Sequence, residues 1–427
     1  MANVIVLGAG LAGTAAAYGL RAALGKDDSV TLVGDGPRFQ FTPSNPWLAL
    51  GSRRRDDIGF PIAGPMARHG IRFVDVAAEK VCPETNHLRL ADGRAMDYDY
   101  LVITTGPRLA FDEVPGLGPG RYTHSICTAK HAQQAWEAYQ AFLCDPGPIV
   151  VGAAPGASCF GPAYEFALLL DTDLRRRGLR DRVPITYVTS EPYIGHLGLG
   201  GVGDSKGLLE HELRQRDIRW IANARILGAT SGALTVQASG GEESTLPFRF
   251  AMVLPAFTGV DALRDVKELT NARGFVLIDE FQRNPRFRNV YAAGVCVAIP
   301  PVEATPVPTG APKTGFMIES MVTAIVHNLR DDIAGRPLAA RATWNAVCLA
   351  DMGDRGAAFV ALPQIPPRNV TWAKEGLWVH LAKVAFEKYY LHKIRTGHTE
   401  PVYETHILRL LGIERLKPVA HAEGEPS

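Results

Sequence analysis

Cysteines are the residues of this 427-residue chain best suited to redox chemistry, and there are six of them: Cys82, Cys127, Cys144, Cys159, Cys296 and Cys348. They are too sparse for a disulfide scaffold, and none forms a CxxC pair with zinc spacing. Cys159 lies just before a predicted helix, where the helix dipole favours a thiolate and predicts a nucleophile of lowered pKa. For any single cysteine, the role of a small buried hydrophobe stays open.

A glycine turn near the N-terminus is the second chemical motif, with the sequence Gly8-Ala9-Gly10-Leu11-Ala12-Gly13 between a predicted strand and a predicted helix. In this GxGxxG spacing Gly8 permits the sharp turn and Gly10 lets a pyrophosphate approach the backbone. The helix that begins beside Gly13 offers NH groups and a partial positive charge. A ribose-binding acid is expected after the second strand, where Gly34 stands and Asp35 follows.

Two βαβ units position these motifs. The first combines strands at residues 3–7 and 30–33 with a helix at 14–24, and the second combines strands at 148–151 and 185–188 with a helix at 161–177. The sequence therefore predicts an α/β fold with two Rossmann-like dinucleotide-binding domains. We expect residues 1–110 and 250–345 to form one domain, 111–249 the second, and 346–427 a C-terminal region.

The remaining segments are predicted as follows. Residues 71–76 and 87–90 are expected to be short antiparallel strands, with a turn at 91–93. Residues 206–215 are expected to be a helix in the second domain. Residues 275–279 and 290–294 are expected to be strands and 313–330 a helix, as the chain returns to the first domain.

Charge and hydropathy exclude several classes of protein. The 45 basic residues nearly balance the 44 acidic ones, so no long-range field would gather a polyanion, and nucleic acid is not an expected partner. No apolar run reaches the roughly 18 to 20 residues of a membrane-spanning helix. The first ten residues read as a strand and a glycine turn, not as a signal peptide.

Two later segments favour FAD over NAD as the nucleotide of the first domain. Residues 100–106 and 289–294 resemble the flavin-contacting strand ends of the two-dinucleotide-binding disulfide reductases, which implies contacts from Thr105, Gly106 and Gly294. Val295 stands where that superfamily usually has aspartate. The second glycine turn, 152–156, reads GxxxG with a proline inside and is followed by no acid at the expected place, which argues against a working NADH site.

Five segments carry a more specific resemblance: residues 41–47, 158–165, 191–196, 305–315 and the stretch around Cys348. Through them the chain resembles, over nearly its whole length, the sulfide:quinone oxidoreductases, membrane-associated bacterial FAD enzymes. The resemblance implies that Cys159 and Cys348 form the redox pair beside the flavin, with Cys127 as a third cysteine. It also implies that Cys348 passes electrons to the flavin while Cys159 carries sulfane sulfur.

The same resemblance supports roles for further residues. His131 and His196 are candidates for moving protons near neutral pH, and Glu165 is a candidate base. Lys313 matches a lysine near the flavin pyrimidine, where its charge would stabilise a reduced anionic ring. Pro43 and Gly315 complete the expected FAD contacts.

The C-terminal region is predicted to contain two amphipathic segments, residues 377–393 and 402–413. An in-plane membrane anchor and packing on protein, including a homo-oligomer interface, both fit this pattern. The resemblance favours the membrane and implies a quinone pocket lined by Phe386 and Tyr403. The first segment has a narrow polar side and a broad apolar one, the polar side holding His380, Lys383 and Glu387 and the apolar side Trp378, Val379, Ala382, Ala385, Phe386, Tyr389 and Tyr390.

Sulfide oxidation with ubiquinone or another membrane quinone as acceptor, on the bacterial inner membrane, is therefore the leading hypothesis. A type II NADH:quinone dehydrogenase and the flavoprotein subunit of a flavocytochrome c sulfide dehydrogenase are the alternatives. A non-catalytic flavin-binding or persulfide-carrier role stays open as well.

Overall fold

The computed structural model describes residues 1–398 and 414–417. The predicted amphipathic segment 402–413, with Tyr403, lies outside the described residues.

The strands of the described chain are numbered in sequence order. They are β1 (Asn3–Leu7), β2 (Ser29–Gly34), β3 (Arg38–Gln40), β4 (Gly59–Pro61), β5 (Arg72–Asp75), β6 (Ala78–Cys82), β7 (His87–Leu90), β8 (Ala95–Asp97), β9 (Tyr100–Ile103), β10 (Arg108–Leu109), β11 (Ile149–Ala153), β12 (Ile185–Thr189), β13 (Ile218–Ile221), β14 (Arg225–Thr230), β15 (Ala233–Gln237), β16 (Glu243–Pro247), β17 (Phe250–Leu254), β18 (Phe257–Thr258), β19 (Val290–Ala292), β20 (Ala346–Asp351), β21 (Gly356–Leu362) and β22 (Val370–Gly376).

The α-helices are numbered in the same way. They are α1 (Leu11–Ala23), α2 (Asn45–Ala49), α3 (Ala63–Arg68), α4 (Ala129–Cys144), α5 (Gly161–Arg176), α6 (Ser205–Gln215), α7 (Gly315–Ile333) and α8 (Leu377–Thr396). No helix among these described residues is long and apolar enough to cross a bilayer.

A five-stranded parallel sheet, in the order β19-β9-β1-β2-β5, forms the first Rossmann-like layer. Its central strands are almost continuous runs of buried aliphatic residues, as expected for a parallel sheet covered on both faces. Helices α1 and α7 pack closely, since a Cβ on Gly19 would lie 2.8 Å from Val326. The expected antiparallel arrangement of residues 71–76 is wrong, because β5 pairs in parallel with β2.

A four-stranded parallel sheet, in the order β13-β12-β11-β17, forms the second layer. With the first sheet it confirms the predicted α/β fold with two Rossmann-like units. Strand β17 belongs to this second sheet although we assigned residues from 250 onward to the first domain. Residues 275–279 form no strand, because only Val276 makes isolated bridges, to Thr270 and Val297.

A three-stranded antiparallel sheet, β20-β21-β22, follows α7 and was not predicted. Strand β21 is buried along its whole length, so it lacks the alternation that marks a half-exposed strand. Residues of β20 and β21 join the hydrophobic core of the second domain, which contains Phe160, Tyr164 and Phe359. This sheet therefore carries Cys348 into the second domain.

Candidate functional site

The first glycine turn has the geometry of a dinucleotide cradle. Gly8 has φ +112°, and a Cβ there would lie 2.4 Å from the Thr104 carbonyl oxygen. A Cβ on Gly13 would lie 1.7 Å from the Gly8 oxygen, whereas one on Gly10 would meet nothing within 4 Å. The turn is therefore tight on the protein side and open at Gly10, as a bound pyrophosphate requires.

The ends of neighbouring strands surround this cradle. Thr104 donates its hydroxyl to the Leu7 and Gly8 oxygens at 2.9 and 3.0 Å, which fixes the end of β9 against the turn. Gly106, with φ +68°, has no atom within 4 Å of the place of a Cβ. Asp35 is exposed directly after β2, beside Gly34, whose Cβ position is 2.7 Å from Ala9.

The other residues expected to contact FAD fall into two places. Thr105, Gly294 and Gly315 lie at the ends of β9 and β19 and at the start of α7, around the cradle, and Gly315 has no atom within 4 Å of the place of a Cβ. Pro43 lies in a short 3-10 turn, Thr42–Ser44, that packs near α8 through the contact of Ser44 with Glu387.

Lys313, two residues before α7, lies within electrostatic range of Cys296 and Cys159. Burial lowers the pKa of its ammonium group to about 8, and negative charge on the sulfur of Cys296 or Cys159 opposes that shift. Cys296 is fully buried, and its thiol lies 3.2 Å from the Ala293 oxygen. The sequence pattern alone did not distinguish Cys296 from an ordinary buried cysteine. Its place one residue after Val295 in the flavin-contacting motif was the available signal.

Three cysteines from distant parts of the chain come together. Cys127 precedes α4, Cys159 precedes α5 and Cys348 lies in β20. All are free thiols. A thiolate at Cys159 would raise the pKa of both other thiols, so it lies near each of them.

The expected low pKa of Cys159 is wrong for the structure as it stands. Burial raises it to about 11, and Lys313 only partly offsets that shift. Burial raises the pKa of Cys127 and Cys348 to about 12. Helix α5 begins at Gly161, two residues after Cys159, so the thiol precedes the first helical turn, where the dipole acts most strongly.

Glu165, one turn into α5, forms a buried ion pair with Lys383 of α8. Burial raises the pKa of Glu165 to about 7, with Lys383 lowering it and the charge of Asp351 raising it. A carboxyl group with this setting suits proton transfer near neutral pH. Lys383 appeared in the sequence only as part of the polar side of a helix, so its partner could not be foreseen.

The two candidate histidines have different settings. His131, in the first turn of α4, has a buried Nδ1 without a hydrogen-bond partner, and burial together with Lys130 lowers its pKa. His196 is buried, its Nδ1 accepts from the Gly198 amide at 3.1 Å and its Nε2 lies 2.8 Å from Glu303. These partners assign the Nε2–H tautomer to His196.

Backbone groups of the second glycine turn are hydrogen-bonded to another loop of the same chain. The Gly156 amide donates to the Pro308 oxygen at 2.6 Å and the Gly310 amide to the Ala157 oxygen at 2.9 Å. Glu191, beyond the end of β12, is fully buried and accepts from Tyr164, Thr189 and the Leu197 amide. The groups that would bind a second pyrophosphate and ribose are thus engaged within the chain.

Helix α8 turns the residues of its predicted polar side inward and several large apolar residues outward. Lys383, Glu387 and Lys393 are at most 5% exposed, and each has an ion-pair partner. The exposed large residues are Leu377, Trp378, Leu381 and Phe386, which are 41–59% exposed. The predicted polar side therefore faces the protein. The ring of Phe386 lies 5.9 Å from that of Phe41 and 5.7 Å from that of Tyr390.

Comparisons with known proteins identify the family of the chain. The family model of the pyridine nucleotide-disulphide oxidoreductases matches residues 2–324. The chain is 41% identical to the sulfide-quinone reductase of Aquifex aeolicus over 99% of its own length and 98% of that protein. The crystal structure of the Aquifex aeolicus sulfide:quinone oxidoreductase superposes with a TM-score of 0.95, covering 100% of this chain and 99% of that one.

More distant proteins share parts of the likeness. The mitochondrial sulfide:quinone oxidoreductase of Mus musculus is 22% identical over 70% of this chain and 66% of its own. The NDH2 structure from Plasmodium falciparum has a TM-score of 0.71 at 14% identity, covering 97% of this chain and all of that one, which shows a common fold alone.

Proposed function

The chain belongs to the sulfide:quinone oxidoreductases within the pyridine nucleotide-disulphide oxidoreductase family, and from this membership we propose how its own residues carry the reaction. It oxidises sulfide at its cysteines and reduces a quinone through FAD. The observation that supports the assignment of residues is that Cys127 and Cys348 both lie within electrostatic range of Cys159, and Cys159 within that of Lys313.

The residues around the first glycine turn fit FAD. The open face at Gly10, the strand ends at Thr105 and Gly106 and the start of α7 at Gly315 would hold its pyrophosphate and flavin. When bound, FAD supplies a two-electron acceptor that the side chains lack. Lys313 would place positive charge beside the flavin, which would stabilise the negative charge of the reduced ring.

The sulfur chemistry starts from the oxidised pair Cys159–Cys348. Hydrosulfide bonds to the Cys159 sulfur and the disulfide bond breaks, which leaves a persulfide on Cys159 and a thiolate on Cys348. When that thiolate joins the outer persulfide sulfur, a trisulfide forms and two electrons and one proton are released. Glu165 is the proposed acceptor of that proton, and the quinone finally takes up two electrons and two protons.

The contacts around the second glycine turn support a reaction without NADH. A dinucleotide there would have to displace the Pro308 carbonyl from the Gly156 amide and release Glu191 from three internal hydrogen bonds. We therefore expect NADH to leave the flavin oxidised in an anaerobic mixture, while sulfide bleaches it. Bleaching by NADH would instead favour the dehydrogenase alternative.

Helix α8 supports peripheral attachment to the bacterial inner membrane. Its outward Leu377, Trp378 and Leu381 suit the headgroup and acyl boundary of a bilayer. Phe386 and Tyr390 of the same helix form an aromatic group with Phe41, which suits a flat quinone ring. Tyr403 is proposed as a further quinone contact, on the resemblance alone.

Substitution of the cysteines tests the proposed roles. Cys159→Ser and Cys348→Ser should retain FAD but lose most sulfide-dependent quinone reduction, because each removes a partner of the exchange. Cys127→Ser should be impaired as well. Cys144→Ser and Cys82→Ser are the matched controls and should keep wild-type turnover. Near-normal turnover of the Cys348 variant would exclude the disulfide mechanism.

A further inference from the structure

A buried charge cluster joins α8 to the elements that carry the redox cysteines. Its centre is the ion pair of Lys383 with Glu165, in which both side chains are only 6% exposed. Glu165 also lies within electrostatic range of Asp351, at the end of β20, whose charge raises the pKa of the Glu165 carboxyl group. One carboxylate of α5 is therefore influenced by both α8 and β20.

Asp351 brings a second negative charge next to Glu165. Its carboxylate is 2% exposed and accepts from Trp47 Nε1 at 2.7 Å, from the Gly353 amide at 3.0 Å and lies 2.8 Å from His380 Nδ1. These partners hold Asp351 in place. Because these partners fix the carboxylate, its charge acts on Glu165 from a defined position.

The remaining groups of the cluster complete its charge balance. Lys383 and Arg53 lie over the Trp47 ring at 4.9 and 4.5 Å, and Arg53 pairs with Glu387 at 2.8 Å. Two cations thus face three carboxylates, those of Glu165, Asp351 and Glu387, with His380 as the sixth member. The formal charges of the two cations and three carboxylates sum to −1, and a proton on Glu165 brings that sum to zero.

Two members of the cluster lie near the redox cysteines along the chain. Glu165 is the fifth residue of α5, and Cys159 lies two residues before that helix. Asp351 follows Cys348 by three residues on β20, a separation of about 10 Å along a strand. The same two segments, β20 and α5 with the residues just before it, therefore carry both cysteines and two members of the cluster.

We propose that Lys383 and Asp351 are positioning residues of the sulfide half-reaction, which set the charge on Glu165 and thereby the pH range in which it takes the proton released at sulfur. This rests on the proposed role of Glu165 as base. Lys383 favours the carboxylate and Asp351 opposes it. It follows that α8, whose outer face is apolar, takes part in sulfide oxidation from its inner face.

Opposite shifts from two substitutions test the proposal. The reaction is flavin bleaching after rapid anaerobic mixing of the FAD-loaded protein with sulfide, without quinone, measured across pH. Lys383→Met should move the midpoint of the rate profile upward and Asp351→Asn downward, each by on the order of one pH unit. Lys383→Arg should restore the wild-type midpoint. Lys388→Met, which removes an exposed lysine of the same helix, is the control and should not move it.

Infrared titration of the carboxyl band separates this proposal from the role of Glu165. The band that Glu165→Gln removes should titrate at higher pH in Lys383→Met and at lower pH in Asp351→Asn. If the band moves but Glu165→Gln keeps the wild-type rate profile, Glu165 is not the base. If the band and the midpoint stay unchanged in both variants, or shift in the same direction, the proposal is overturned.

Discussion

At the scale of single residues, burial outweighs the helix dipole at Cys159. The sequence shows a cysteine just before a helix, and this pattern favoured a thiolate. The structure adds Cys127 and Cys348, which approach from segments far away in the chain, and their surroundings remove water from all three thiols. Such desolvation comes from tertiary contacts and leaves no local trace in the sequence.

The thiol pKa values predict an order of alkylation. In the reduced protein, Cys159 has a pKa of about 11, against about 12 for Cys127 and Cys348, so at any neutral pH it should hold roughly ten times more thiolate. Among these three cysteines we expect iodoacetamide to modify Cys159 first, at a rate that rises steadily from pH 7 to 9, whereas the exposed Cys144 reacts independently of them. Mass spectrometry of peptides after timed quenching measures this order.

Lys313→Met tests whether the charge of Lys313 makes Cys159 the most reactive of these three thiols. Because the Lys313 charge lowers the pKa of Cys159, its removal should slow alkylation of Cys159 and leave Cys127 unchanged. Faster labelling of Cys127 than of Cys159 in the wild-type protein would contradict the order.

A residue-scale prediction also concerns the acceptor side. Phe386→Ala removes a ring that packs on Phe41 and Tyr390, at a cost on the order of 1 kcal/mol in quinone binding, or several-fold in KM. Steady-state kinetics with a soluble quinone analogue measure it, and bleaching of the flavin by sulfide serves as the internal control. Unchanged quinone kinetics would place the quinone elsewhere.

At the scale of elements, strong local patterns were predictable and tertiary choices were not. β1, β12 and α8 begin where the sequence indicated, since apolar runs and the glycine turn mark them. Helix α4 and the sheet β20-β21-β22 were missed. The direction of β5 was wrong because an alternating pattern does not tell whether the neighbouring strand is parallel or antiparallel.

For helix α8, too, the sequence alone did not show which side faces the protein. Its amphipathic pattern was visible, but which side faces the protein depends on Glu165, Glu319 and Asp351, all distant in the chain. Only those partners show that the polar side is the buried one.

The outward face of α8 predicts membrane binding that point substitutions can remove. Changing Leu377, Trp378 and Leu381 together to glutamine should weaken binding to neutral phospholipid vesicles by on the order of tenfold or more, because it removes the apolar surface available to the bilayer. Vesicle flotation measures the bound fraction. Deleting the whole helix is a poorer test, since Glu165 would lose Lys383.

Two controls accompany this experiment. Tyr122→Gln changes another exposed aromatic residue, 48% exposed and away from α8, and should float like the wild-type protein. Sulfide should bleach the flavin of the triple variant at the normal rate. Full vesicle binding by the triple variant would show that α8 is not the attachment surface.

At the scale of the whole molecule, buried ion pairs join the parts that hold the cysteines. Asp171 of α5 is fully buried and pairs with Arg180 at 2.6 Å and Arg216 at 3.1 Å. Arg216 also pairs with Asp354, in the turn between β20 and β21, at 3.0 Å. Since α5 follows Cys159 and β20 carries Cys348, this network fixes the two cysteine-bearing elements relative to each other.

Asp171→Ala should therefore destabilise the protein by about 3 to 5 kcal/mol, because it leaves Arg180 and Arg216 buried without their shared partner. Equilibrium unfolding in urea, followed by far-ultraviolet circular dichroism and by flavin fluorescence, measures the loss. Glu210→Ala, which breaks the exposed pair with Arg214, is the matched control and should cost about 0 to 1 kcal/mol. If the free energy of unfolding of Asp171→Ala lies within about 1 kcal/mol of that of the control, contacts other than this network hold α5 and β20 together. In that case sulfide should also bleach the flavin of Asp171→Ala at the normal rate.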